Sequence, residues 1–255
     1  EKWHLYVQHL RQKTDLSLHQ RANKLLSIAD KLPWPLLCLC YLESCQLSRD
    51  AVVCLMEQEE FYAAKNILDD SNYPLEESRR LANETTRSIW NQLKEDIDYL
   101  RGSCEAESCY LNTWKRYERE KYEMESPSVD LVWQIADEMR HVISLCQTTS
   151  MVELEAKASA YLAEIYWCIL SLKRLAPELA RRAICLSEAL KPKVITEFDW
   201  FKIATKIMDE HQREVIKTEQ MERDAARKPY LDALKNELEQ LNTSWFPWLW
   251  FKTMP

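Results

Sequence analysis

Along this chain apolar residues recur three and four apart, the spacing of one helix face, and no stretch reads convincingly as a strand. Ser17 followed by Gln20 predicts a capping box. Leu18, Ala22, Leu25, Leu26 and Ala29 then mark a helix up to Pro33. From Pro35, suited to a first helical position, a largely buried helix is predicted as far as Gln46. Ser48 or Asp50 would cap a third over 51–59, and a fourth covers 61–68 before the turn-forming run Asp69 to Pro74.

Glu76 and Glu77 suit a helix N-terminus, and Leu81, Ile89, Trp90, Leu93, Ile97 and Leu100 continue that helix until Gly102 is expected to end it. A short polar link, 103–110, leads to a charged helix over 111–125 with Trp114 and Tyr117 on one side. Ser126-Pro127-Ser128 reads as an internal boundary, and Ser128 as the cap of an amphipathic helix over 129–146. Ser150 with Glu153 predicts a second capping box, opening a helix to about Leu172. Pro177 starts the next, which closes near Leu190 to Pro192. A long helix from Thr196 is expected to break or kink at Pro229 before 230–241. The predicted organisation is a helical array over 1–125, hairpins and a long helix over 126–244, and an aromatic tail over 245–255.

Composition sharpens this all-α reading. The 255 residues contain a single glycine, where average usage of about 7% would give roughly 18. Glycine-rich phosphate loops and the primed turns of two-residue hairpins therefore cannot be written anywhere. Hydrophobic content of 46% and charged content of 29% fit a globular chain able to bury a core. The longest uncharged apolar run, Leu32 to Leu42, is about half of the ~20 residues that span a bilayer. The chain opens on Glu1-Lys2-Trp3-His4, without an initiator Met or a signal pattern, which reads as a piece of a longer chain. Nine cysteines, mostly in apolar helical runs, suit buried reduced thiols in the cytoplasm better than a disulfide framework. Two sequons, at Asn83 and Asn242, pull the other way.

The stretch 158–192 resembles a tetratricopeptide hairpin. Ala163 and Tyr166 stand on its first helix; Ala180, Ala183, Ala189 and a closing Pro192 stand on its second. Residues 59–68 echo a turn and second helix of the same family. The resemblance departs from the family in a longer turn, in Ala163 where glycine is common, and in the absence of a Trp-x-x-Leu start. It implies an α-solenoid of stacked hairpins whose inner surface holds a peptide or partner helix. An irregular helical bundle is the alternative.

Candidate chemistry is sparse. Glu1 with His4 and Glu138 with His141 have the Glu-x-x-His spacing of di-iron bundles, so a helical-bundle metalloenzyme using Glu138 and His141 is a minor alternative. Cys38, Cys40 and Cys45 read as core packing, and Cys104 with Cys109 could bridge locally under oxidation. No activated nucleophile pattern is present, so no catalytic residue, cofactor or metal is assigned. The net charge of −7 argues against nucleic acid, although Lys173-Arg174 with Arg181-Arg182, and Arg223 with Arg227-Lys228, leave an RNA-binding helical repeat as an alternative. The most unusual segment is Trp245-Phe246-Pro247-Trp248-Leu249-Trp250-Phe251, six of whose seven residues are large and apolar. Such a surface needs cover, from its own last helices or from a partner. Trp245, Phe246, Trp248 and Trp250, with Trp114 and Tyr117, are the predicted contacts of a non-catalytic scaffold. Its partner is a protein or an adjacent domain, and no membrane is implied.

Overall fold

The computed structural model describes residues 2–123, 128–190 and 197–250, apart from the side chains of 122, 123 and 240–250. Among the described residues there is no β-strand. Helices follow one another as α1 (Lys2–Gln12), α2 (Leu18–Ala29), α3 (Trp34–Glu57), α4 (Phe61–Asp70), α5 (Asn72–Leu81), α6 (Glu84–Glu123), α7 (Val129–Thr149), α8 (Val152–Glu164), α9 (Ala176–Leu190) and α10 (Asp199–Trp250). A π-helical turn, Ile165–Ile169, extends α8.

The Ser17–Gln20 capping box forms in both directions, at 3.2 and 2.9 Å. Where helices were expected to stop, several continue. α3 runs through Ser48, which is buried, and Asp50, which is paired with Arg49 of the same helix. Ser44 Oγ donates to the Ala22 carbonyl, and Arg49 bridges Asp50 and Asp96. The turn-like run before Pro74 holds the start of α5, whose first turn tolerates a proline that lacks an N–H. α10 likewise passes Pro229 without a break.

Gly102 does not terminate a helix. It lies inside α6, a rod of about 60 Å, where a Cβ would come within 2.5 Å of Thr149 Cγ2 at the end of α7. The expected 103–110 link is therefore helix, and all nine cysteines, Cys104 and Cys109 among them, are free. The left-handed backbone positions that glycine usually fills fall instead to Glu59, Ser150 and Ser171, with φ of 60°, 56° and 54°. At Glu59 a Schellman closure is complete. Glu60 N–H donates to the Leu55 carbonyl at 2.9 Å and Glu59 N–H to the Met56 carbonyl at 3.0 Å. Ser150 closes α7, its own N–H and that of Met151 both donating to the Cys146 carbonyl, so it is unavailable as the predicted cap of α8, which begins after Met151 without a side-chain cap.

Among the described residues three apolar cores result. One joins α1, α2 and α3 around Leu25, Ala22 and Cys40. A second joins α3, α4, α5 and α6 around Val52, Leu68 and Ile97. The third spans α6 to α10 around Met139, Leu162 and Ile165. α6 contributes Leu93, Ile97 and Cys104 to the second core and Ala106 and Tyr117 to the third. The changeover thus lies inside α6, while 124–127, around the expected boundary, lie outside the described residues. In the third core α8 packs against α7, α9 and α10, and α9 against α10. Ala156, Ala158, Ala160, Ala163, Ala180, Ala183 and Ala204 have no exposed surface there, and such small side chains let helix axes approach closely. Of the residues that carry the tetratricopeptide resemblance, Ala163, Tyr166, Ala180 and Ala183 are buried and Ala189 is exposed; Pro192 lies outside the described residues.

Candidate interaction surfaces

The predicted contact aromatics Trp114 and Tyr117 belong to the third core. Tyr117 is 2% exposed, and its hydroxyl donates to Glu164 at 2.8 Å, so its ring is not available to a partner. Trp114 is half-buried, with its ring centroid 3.9 Å from that of Tyr161. Lys121 completes this α6–α8 contact with an ion pair to Glu164 at 2.7 Å. The side chains of Trp245, Phe246, Trp248 and Trp250 lie outside the described residues, although the backbone of α10 reaches Trp250.

Glu138 and His141 do not converge on a common point. The Glu138 carboxylate accepts from Thr113 Oγ1 at 3.0 Å and pairs with Arg116, while His141 is exposed. Among the described residues no group of three or more His, Cys, Asp or Glu could hold a metal ion. Cys38, Cys40 and Cys45 point to separate carbonyls, those of Ser78, Leu25 and Ser71. Burial pushes the Cys40 and Cys45 thiols up to about 12, so at neutral pH both stay protonated and unreactive. Three of the seven basic side chains in those clusters are paired with carboxylates. Lys173 pairs with Glu214, Arg223 with Glu219, and Arg182 with the buried Glu155, with Nε at 2.7 Å. Asn83, of the first sequon, closes the start of α6 by accepting from Thr86 N–H at 2.9 Å.

Two further surfaces stand out. The first is the distal part of α10. Its root is fixed by buried Trp200, Ala204 and Ile207, and by Trp167 Nε1 donating to Glu210 at 2.7 Å. Every side chain from 212 to 239 is exposed. Leu231, Leu234 and Leu238, 55%, 40% and 61% exposed, follow the three-then-four spacing of a helix–helix seam. In the sequence that spacing continues at Leu241, Trp245 and Trp248.

The second surface is a groove between α3 and α6. One cavity of about 500 Å³ lies beside Arg49, Val53, Asp96 and Tyr99. Another of about 530 Å³ lies beside Met56, Glu57, Phe61, Glu107 and Leu154. They share Val53 and Leu100, so the apolar floor is continuous. Glu59, held in its left-handed conformation, stands on the rim with Glu57 and Glu107. The Glu107 carboxyl is raised above its ordinary value, first by burial and then by Glu153 and Glu59, against the opposing pull of Lys157. Lys157 is itself paired with Glu153 at 2.7 Å.

Among the described residues no helix is long and apolar enough to cross a membrane. Comparison with known proteins finds no family model, no curated protein and no solved structure that matches this chain.

Proposed function

We propose that the chain is a non-catalytic helical scaffold, part of a larger cytoplasmic protein, which holds a protein partner through the distal part of α10. The observation that carries this reading is a helix whose side chains from 212 to 239 are all exposed, yet which presents leucines at seam spacing. Isolated helices are marginal in water, and a leucine seam gains stability when a second helix covers it. Stacked helices with closely packed alanines suit the tetratricopeptide-like solenoid, although α8, α9 and α10, each touching the other two, suit an irregular bundle equally. Nine free cysteines, three of them with thiols pushed up to about 12 by burial, fit a reducing compartment.

A photo-cross-linking side chain placed at Leu234 tests this in cells. Discrete protein adducts that are absent when the same group stands at Asn236, roughly 200° round the helix, are the expected result. Adducts destroyed by nuclease would favour the RNA-binding alternative. No adduct from either position would end the scaffold reading.

A further inference from the structure

The α3–α6 groove has a charge pattern that selects among partners. α3 and α6 run in the same direction along it: Arg49 faces Asp96, Val53 faces Leu100, and Glu57 lies at the level of Glu107. From Asp96 to Leu111 the α6 wall is about 22 Å long, the length of about four helical turns. Its lining carries the carboxylates of Asp50, Asp96, Glu57, Glu59 and Glu107 against only Arg49 and Lys157. Arg49 is committed to Asp50 and Asp96, at 2.8 and 2.9 Å, and Lys157 to Glu153. Among the described residues no hydrogen bond or ion pair reaches the side chains of Glu57, Glu59 or Glu107. Three acids with no direct hydrogen bond or ion pair, Glu107 feeling only the pull of Lys157, therefore rim an apolar floor that includes the 40% exposed Val53. Of the three only Glu107 is half-buried, while Glu57 and Glu59 are exposed; a cation entering among them relieves the repulsion that Glu59 and Glu153 exert on Glu107, and an apolar floor is covered by an aliphatic stripe. One segment that supplies both is a helix with leucine-like residues on one side and lysine or arginine beside them.

We propose that this groove docks a basic amphipathic helix of a protein partner. The inference rests on the scaffold reading and names the chemistry of what the scaffold holds, at a surface separate from the α10 leucines. Binding of a fluorescent peptide of about 18 residues, with leucine at i, i+3, i+4 and i+7 and lysine between, tests it by anisotropy against the full chain. Binding should weaken as salt rises. It should fall by about tenfold in the Glu57→Gln, Glu59→Gln, Glu107→Gln triple variant, as expected for three partly exposed ion pairs. Val53→Lys, which changes one exposed side chain in the floor, should weaken it as well. Equal affinity for the triple variant, or equal binding of the same leucine pattern with glutamate in place of lysine, would overturn the proposal. Loss of binding only in a Leu231→Ser, Leu234→Ser, Leu238→Ser chain would move the site to α10, sinking the groove and leaving the scaffold reading intact. The cross-linking at Leu234 fails or succeeds independently of the peptide.

Discussion

At Gly102 the absence of a side chain is what lets α6 and α7 meet. An added Cβ would be 2.5 Å from Thr149 Cγ2, and Thr149 cannot swing away freely because its Oγ1 donates to the Leu145 carbonyl at 2.9 Å. Gly102→Ala gains about 1 kcal/mol of helix propensity but incurs about 1–3 kcal/mol of overpacking, so it should lower the midpoint of urea unfolding. In a Thr149→Ser background, which keeps the hydroxyl and removes Cγ2, the same change should become stabilising. An unchanged sign would mean that Thr149 is not the obstacle. Glu107 carries a second residue-scale test. Because its carboxyl is raised, the fold holds the proton more tightly than the unfolded chain does. Stability attached to that proton is complete below the ordinary carboxyl value and is lost as pH rises through the folded value. Glu107→Gln should therefore raise the melting temperature at neutral pH and do little below about pH 4. The same gain at both pH values would place its origin in packing.

Helix ends decide how these elements are joined, and here they do so nearly without glycine. Ser150 closes α7 at φ 56°, a conformation that costs an L-residue about 1–2 kcal/mol. Ser150→Gly should recover about 1 kcal/mol of stability in thermal unfolding, because its side chain caps nothing. The capping box at Ser17, the amphipathic α7 and the proline-led α9 are legible in the sequence, since each is fixed by neighbours within one or two turns. Gly102, Ser48 and Pro74 mislead for one shared reason. Their local preference for helix ends is overridden by packing against other helices or by their place in a first turn. The leucine spacing of α10 is visible in the letters, whereas its exposure is not. The groove could not be read in advance, because Glu57, Glu59 and Glu107 come together only when α3, α6 and α8 pack.

For the molecule as a whole, α6 is the shared member. It supplies buried residues to two of the three cores, Leu93, Ile97 and Cys104 to one and Ala106 and Tyr117 to the other. Melting one half would strand apolar surface of the same helix in water, so the two cores should unfold together. Hydrogen exchange followed through a urea series tests this with amides of α3 and α8 as the two reporters. Coincident transitions are expected, and separate midpoints would show that α6 frays into independent halves.

A continuous helix fixes bearing as well as distance. From Ile207, buried at the root of α10, to Leu231 the rod advances about 36 Å, turning roughly 100° at each residue. The leucine face therefore has one azimuth relative to the acidic groove. Two residues inserted between root and leucines would swing that face by roughly 200°, while seven would lengthen the rod by roughly 10 Å and leave the azimuth almost unchanged. A partner that touched both surfaces would sense the first insertion as a change of direction and the second only as a change of reach.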